Sequence, residues 1–343
     1  MSAPRDPAAD LRRIAFLLER SREATYRVRA FRTAAAVVQQ RADIEQRAAA
    51  GTLTALNGIG EATARCITES VSGQQPGYLT RLESTASSPG AGEGEAVRAA
   101  LRGDCHTHSD WSDGGSPIEE MASTARELGH EYLVLTDHSP RLTVANGLSA
   151  DRLRRQLDVV AELNEELAPF RILTGIEVDI LTDGTLDQLP ELLARLDLVV
   201  ASVHSKLRMP RAEMTARMLA AVGDPNVDVL GHCTGRIVTG SRARPESQFD
   251  ADAVFAACAE HGVAVEINSR PDRLDPPRRL LRSAMAAGCL VSIDSDAHAP
   301  GQLDWLGYGC ERAAECGVDA GRIVNSWRSE DVLAWTADHA HRP

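Results

Sequence analysis

The sequence predicts an α/β protein in which seven parallel strands alternate with helices and close into a (β/α)7 barrel, preceded by a small all-α domain. Three observations predict it. Between residues 101 and 310, short β-rich runs alternate with helical stretches seven times. Six of the seven expected strand ends carry an imidazole or a carboxylate. A small, aperiodic stretch, "STASSPGAGEGEA" (84 to 96), separates this region from a first part of different charge and reads as a linker. The expected division is a helical domain over 1–83, a linker over 84–98 and the barrel over 99–343.

In the first part, "YRVRAFRTAAAVVQQ" places Val28, Phe31, Ala35 and Val38 on one apolar helical stripe. Arg22, Arg29 and Arg32 share another face. After the helical "RADIEQRAAA", the segment "LNGIGEATARCIT" (56 to 68) has a two-glycine turn opening a helix. The amides of Gly58 and Gly60, with the helix N-terminus behind them, form a nest that attracts phosphate; plain turn chemistry is the alternative. In the second part, strands are expected around 101–106, 132–136, 171–178, 197–203, 227–231, 263–268 and 290–294. Helices such as "PIEEMASTARELG" and "FDADAVFAACAEHG" lie between them.

The chain has 343 residues, 43% of them hydrophobic, enough for a sizeable core. No apolar run approaches the roughly 20 residues of a membrane span, and the start, "MSAPRDPAADLRRIAFLLER", is too interrupted by charge for a secretory signal. A cytoplasmic protein without membrane partners is expected. Seven cysteines contain no C-x-x-C pair, so reduced, mostly buried thiols are expected. Residues 1–100 carry 13 arginines against 11 acids, whereas the rest carries 24 basic and 38 acidic residues. The acidic excess therefore belongs to the barrel.

Catalytic groups of parallel barrels collect at the C-terminal ends of the strands. Strand one ends in "DCHTHSDWSDGG" with His106 and His108, two apart and so on one strand face. Strand two ends with His138, three with Glu177, four with His204, five with His232, and seven with Asp296 and His298. Any single buried histidine is ordinarily a core residue satisfied by one hydrogen bond, but six have no structural reason to converge on one rim. Six His, two or three Asp and one Glu, without Cys, suit Zn²⁺, Mn²⁺ or Fe²⁺ and exceed what one tetrahedral ion can use, so two or three ions are implied. Such a cluster polarises a phosphoryl oxygen, acidifies a water and clamps entering and leaving oxygens. Phosphate ester hydrolysis is the fitting chemistry.

The series "DCHTHSDWSDG", "LTDHS", "GIE", "SVHS", "GHC", "EINSRPDRLD" and "SDAH" resembles the PHP (polymerase and histidinol phosphatase) superfamily over residues 101 to about 310. The resemblance implies a distorted seven-stranded barrel with a trinuclear site. Carried over by position, His106, His108, Glu177 and Asp296 would hold one ion. Glu177, His204 and His232 would hold a second, and Asp113, His138 and His298 a third. The helical part is similar to a helix-hairpin-helix module and, over residues 10 to 80, to the small N-terminal domain of family X DNA polymerases. Their nucleotidyltransferase domain has no counterpart here, so no polymerase activity is expected. Lyase chemistry by a lysine Schiff base is excluded too, because this half contains no lysine.

For the substrate phosphate, Lys206, Arg236, Arg270 and Arg273 are candidates, Lys206 being the only lysine of the chain. Asp104 is a candidate to fix an imidazole tautomer or, equally, a strand-end cap. Asn268 could orient substrate or tie its loop, and Glu266 matches no metal position. Gly58, Gly60, Arg29 and Arg32 are candidate DNA contacts. His130, His261, His339 and His341 lie off the rim. The expected function is a metal-dependent phosphoesterase acting on DNA, as an exonuclease, end-processing or repair nuclease. A small-molecule phosphomonoesterase such as histidinol phosphatase, and a non-catalytic DNA-binding protein, are the alternatives.

Overall fold

The structure is a computed structural model that describes residues 5–85, 92–240 and 243–339. The middle of the expected linker, 86–91, and His341 lie outside these residues; the chain divides into two compact units, Met1–Ser88 and Pro89–Pro343.

The first unit is helical: α1 (Pro7–Arg20), α2 (Thr25–Gln39), α3 (Ile44–Ala50), α4 (Glu61–Val71) and α5 (Gly77–Thr85). Asp6 caps α1, its carboxylate accepting from the Ala8 amide at 2.8 Å, and Pro7 at the first position has no amide to lose. Leu11, Ile14, Leu17 and Leu18 of α1 are buried where it packs on α2, whose Phe31, Ala35 and Val38 are buried with Ala34, while Val28 of the expected stripe is only half-buried. Asp10 joins α1 to α4 by accepting from Ser70 Oγ at 2.7 Å. Gly58 has φ +90°, and a Cβ there would stand 2.7 Å from Thr33 Cγ2, so the turn before α4 requires glycine on both counts.

The second unit begins with α6 (Glu95–Ala100), which packs against α13 (Leu306–Glu315); a Cβ on Gly94 would stand 2.5 Å from the Glu311 amide nitrogen. Seven strands follow: β1 (Gly103–Thr107), β2 (Tyr132–Leu135), β3 (Arg171–Asp179), β4 (Leu198–Ser202), β5 (Val229–Leu230), β6 (Ala264–Asn268) and β7 (Val291–Asp294). They pair in sequence order, all parallel, as the alternation of elements requires. The connecting helices are α7 (Ile118–Glu127), α8 (Ala150–Leu167), α9 (Pro190–Leu193), α10 (Arg211–Val222), α11 (Ala251–His261) and α12 (Arg278–Ala287), with α14 (Ser329–His339) last.

The barrel closes without a full ladder between β7 and β1. A single parallel bridge, Thr107 to Ala297, joins them near the strand ends. Lower down, the fully buried Asn325 mends the seam, its amide donating to Gly103 O at 3.1 Å and Ile293 O at 2.6 Å. This side-chain repair is the physical content of the distortion expected for the barrel. Val332 and Trp335 of α14 join the inward residues Cys105, Val134, Leu173 and Val200 in one apolar cluster, leaving the opposite rim for polar groups. The seven cysteines are free thiols, six of them buried. No described helix is long and apolar enough to cross a membrane.

One histidine away from the rim is expected to make the barrel's stability depend on pH. His130 is 5% exposed, and burial, together with the Arg98 guanidinium, pushes its imidazole down to about 3. In the unfolded chain it would titrate near ~6.5, so the stability present above that pH is lost as pH falls toward 3, by about 2 kcal/mol at pH 5. His130→Gln is expected to flatten the decline of Tm between pH 7 and 5. Parallel profiles for the two proteins would show that the decline has another origin.

Candidate metal centre

The strand ends bring the rim residues together around Glu177. Its carboxylate, 1% exposed, lies 3.3 Å from His106 Nε2, 3.6 Å from His108 Nε2 and 2.9 Å from His138 Nδ1. It also lies 3.2 Å from His204 Nε2 and 2.9 Å from His232 Nε2. Five imidazoles thus face one carboxylate. Toward solvent, Asp113 Oδ1 is 3.4 Å from His138 Nε2 and 3.3 Å from His298 Nε2. Asp296 Oδ1 is 3.5 Å from both His108 Nε2 and His298 Nδ1.

The donor atoms form three groups whose members lie within 4.8 Å of one another: His108, Asp113, His138 and His298; His106, His108 and Glu177; His138, Glu177 and His204. His232 and Asp296 are outside these groups but touch them. Burial ordinarily forces polar atoms into hydrogen bonds. Here His106 Nε2, both ring nitrogens of His108 and His204, His138 Nδ1 and Glu177 Oε2 are buried with no partner in hydrogen-bonding geometry, despite their short separations. Orphaned lone pairs aimed at a common space are what a set of metal ligands leaves, and the His/Asp/Glu clusters are suited to divalent metal ions.

Electrostatics tie the set together. Desolvation opposes charge on Glu177, but His204, His106 and His138 outweigh it and hold the carboxyl well below its usual range. Burial depresses His138, yet Glu177 and Asp113 raise it to about 10. His108, buried beside His298 and His138, is pushed well below the ordinary imidazole value. Burial disfavours the Asp296 anion, but Arg270 and His108 hold its pKa well down. Asp296 is also held at φ +52°, a left-handed conformation uncommon for a residue other than glycine.

Other expected residues distribute unevenly. Arg270 Nη1 approaches Asp296 Oδ1 at 3.6 Å and His298 Nδ1 at 3.2 Å, and Arg273 Nε approaches Asp296 Oδ2 at 3.3 Å. Arg236 instead braces the loop after β6, donating through Nε to Arg273 O at 3.0 Å and through Nη2 to Leu274 O. Lys206 is exposed on the loop after β4 at φ +53°, with no contact to the rim ligands among its described interactions. Asp104 accepts from Ser295 N at 3.2 Å, from Ser295 Oγ, and from the His106 amide at 3.3 Å, so it ties backbone at the strand ends and touches no imidazole ring.

The partner of His106 is Glu266, whose Oε1 lies 2.7 Å from Nδ1 while Oε2 accepts from the His232 amide. Asn268 donates to Asp296 Oδ2 at 3.0 Å. An acid inside the apolar strand "AVEIN" was the available signal, since such a group is buried only with a partner. Asp179, missed in the sequence, accepts from the His204 amide at 3.1 Å.

In the helical unit, Arg32 is committed to a two-pronged pair with Glu19, at 2.9 and 2.7 Å, and Glu19 is buried. The guanidinium, a candidate DNA contact, thereby links α2 to α1. Arg29 is exposed. The Gly60 amide donates to Thr63 Oγ1 at 3.0 Å, so a phosphate in the nest would compete with that hydroxyl.

Residues 104–270 match the PHP domain family, and residues 3–75 match a helix-hairpin-helix domain family. The chain is 39% identical over 235 residues to the DNA polymerase/3'-5' exonuclease PolX of Bacillus subtilis; the match covers 68% of the chain and 41% of that relative's length. It is 30% identical over 235 residues to a probable phosphatase of Vibrio atlanticus, covering 65% of the chain and 89% of the relative. Among solved structures, the zinc-containing histidinol phosphate phosphatase of Lactococcus lactis aligns at 19% identity over 64% of this chain and 95% of that one, with a TM-score of 0.47.

Proposed function

Since the chain belongs to the PHP domain family and is a metal-dependent phosphoesterase, we propose that its substrate is DNA, cleaved at or near a strand end at a centre of three divalent ions. Zn²⁺, Mn²⁺ and Fe²⁺ suit the donor set. The observation that carries the reading is that one chain joins this rim to a helix-hairpin-helix domain over residues 3–75, a module whose amides suit nucleic-acid backbone without reading sequence. The identity to a relative named as a polymerase and 3'-5' exonuclease supports it.

His106, His108, Glu177 and Asp296 would hold one ion, Glu177, His204 and His232 another, and Asp113, His138 and His298 the third. Bound ions would polarise the phosphoryl group and acidify a water. The protein's own part is to orient the imidazoles and to receive the phosphate. Glu266 orients His106 across 2.7 Å. Arg270 and Arg273 flank Asp296, and Arg273 Nη1 is buried without a partner, ready to donate to a phosphate oxygen.

A Mn²⁺-supplemented assay tests the substrate. A labelled oligonucleotide should give a higher kcat/KM than histidinol phosphate or an aryl phosphate. The identity to the Vibrio probable phosphatase favours the competing small-molecule reading, and a clear preference for histidinol phosphate would establish that one.

Metal loading should depend on pH in a defined sense. Ligating imidazoles must be neutral, whereas in the ion-free site Glu177 favours the cationic form of His106, His138 and His204. Metal affinity should therefore rise with pH between 6 and 8, with at least about one proton released per chain on binding. Calorimetry in two buffers of different ionisation enthalpy measures that release. Binding without proton release would count against histidine ligation.

A further inference from the structure

We propose that Asp137, Gln156 and Arg152 are positioning residues that set the place of Asp113, and so govern the affinity of the outermost ion pocket separately from the inner two. The inference rests on the ion assignment proposed above. Asp113 differs from the other proposed ligands in where the chain puts it. The others lie in a strand or within four residues of its end, whereas Asp113 is six residues beyond β1, in an irregular loop, with its side chain 38% exposed. No strand ladder fixes it.

What fixes the loop is a buried carboxylate. Asp137, 1% exposed, accepts from Ser109 N at 2.8 Å, Ser109 Oγ at 2.6 Å and Ser112 Oγ. Its fourth donor is Gln156 Nε2 of α8, at 2.6 Å. Ser109 follows His108, Ser112 precedes Asp113, and Asp137 itself precedes His138. One carboxylate thus joins the loop bearing the first ligand of the pocket to the strand end bearing the second. One helical turn before Gln156, Arg152 donates to Trp111 O, to Asn146 O at 2.5 Å and to Gly147 O at 3.2 Å. Beyond Asp113, the Gly115 amide donates to His298 O at 2.7 Å, bringing in the third ligand. Both sides of Asp113 are therefore held.

A buried carboxylate is costly, and the donors to Asp137, from Ser109, Ser112 and Gln156, are uncharged. A charged acceptor makes short, strongly directional bonds, and directional support is what a ligand on an irregular loop lacks; losing such support typically weakens a metal site about 10- to 100-fold.

The test is a Mn²⁺ titration of the ion-free, full-length chain, counting free ion by electron paramagnetic resonance, for wild type and for Asp137→Ala, Gln156→Leu and Arg152→Ala. Asp197→Ala serves as a control, because Asp197 makes comparable bonds to Thr174 N and Oγ1, at 2.8 and 2.9 Å, at the start of β4. We expect three ions in the wild type. In the brace variants the weakest step should weaken at least about tenfold while the two tighter steps hold within about threefold. Asp197→Ala should lower Tm and keep all three steps. Gln156→Leu, which keeps the side-chain bulk, carries the test if Asp137→Ala does not fold. Three unchanged steps, or an equal weakening of all three, would overturn the brace and leave the ion assignment standing. A wild type binding fewer than three ions would instead overturn the ion assignment itself.

Discussion

Glu177→Ala is expected to yield a folded protein with at most one bound ion per chain and with kcat/KM lower by at least about 10³-fold, roughly 4 kcal/mol of transition-state stabilisation. The size follows from its position. Five imidazoles lie within 3.6 Å of this one carboxylate, so its loss would remove a proposed shared ligand and the charge that balances them. His106→Ala with His108→Ala should fall short of that loss, removing at least one ion and leaving the pairs of His204 with Asp179 and of His138 and His298 with Asp113. Elemental analysis alongside steady-state rates on an aryl phosphate measures both effects. Activity retained within tenfold in Glu177→Ala would place the chemistry elsewhere.

Removing residues 1–88 should leave aryl phosphate hydrolysis unchanged and raise KM for an oligonucleotide at least about tenfold, because phosphate contacts supply most non-specific affinity for DNA. Every proposed ligand lies at or beyond His106. The cut must spare α6, since that helix packs on α13, and a cut at residue 95 would damage the barrel for reasons unrelated to DNA. The salt dependence of oligonucleotide binding should become shallower in the shortened chain, reflecting fewer released counterions. Two substitutions separate folding from binding. Gly58→Val forces a side chain into left-handed backbone against Thr33 and should destabilise the helical unit. Gly60 has extended backbone and open space where a Cβ would stand, so Gly60→Val should fold normally and weaken only DNA binding. Equal rates on DNA for shortened and intact chains would remove the helical unit from substrate recognition.

The sequence by itself determined the class of fold and the rim of the barrel. Alternating β-rich and helical segments have one economical solution, a parallel sheet with helical crossovers. In that solution strand ends share a face, so sequence alone gathers His106, His138, Glu177, His204, His232 and Asp296 on one rim. The stripe of α2 was legible for the same reason: helical period fixes which residues face inward. What period cannot fix is the partner. Arg29 and Arg32 look alike on the helix, yet only Arg32 meets the buried Glu19. Arg236 and Arg273 both follow rim strands, yet one braces a loop and the other reaches Asp296. Glu266 was visible as an odd acid in an apolar strand, but its meeting with His106, 160 residues away, arises only when β1 and β6 enter one barrel. The brace on Asp137 has the same origin. Local sequence sets direction through backbone geometry, whereas contacts between distant segments depend on how closed elements register against one another, and tertiary structure alone decides that.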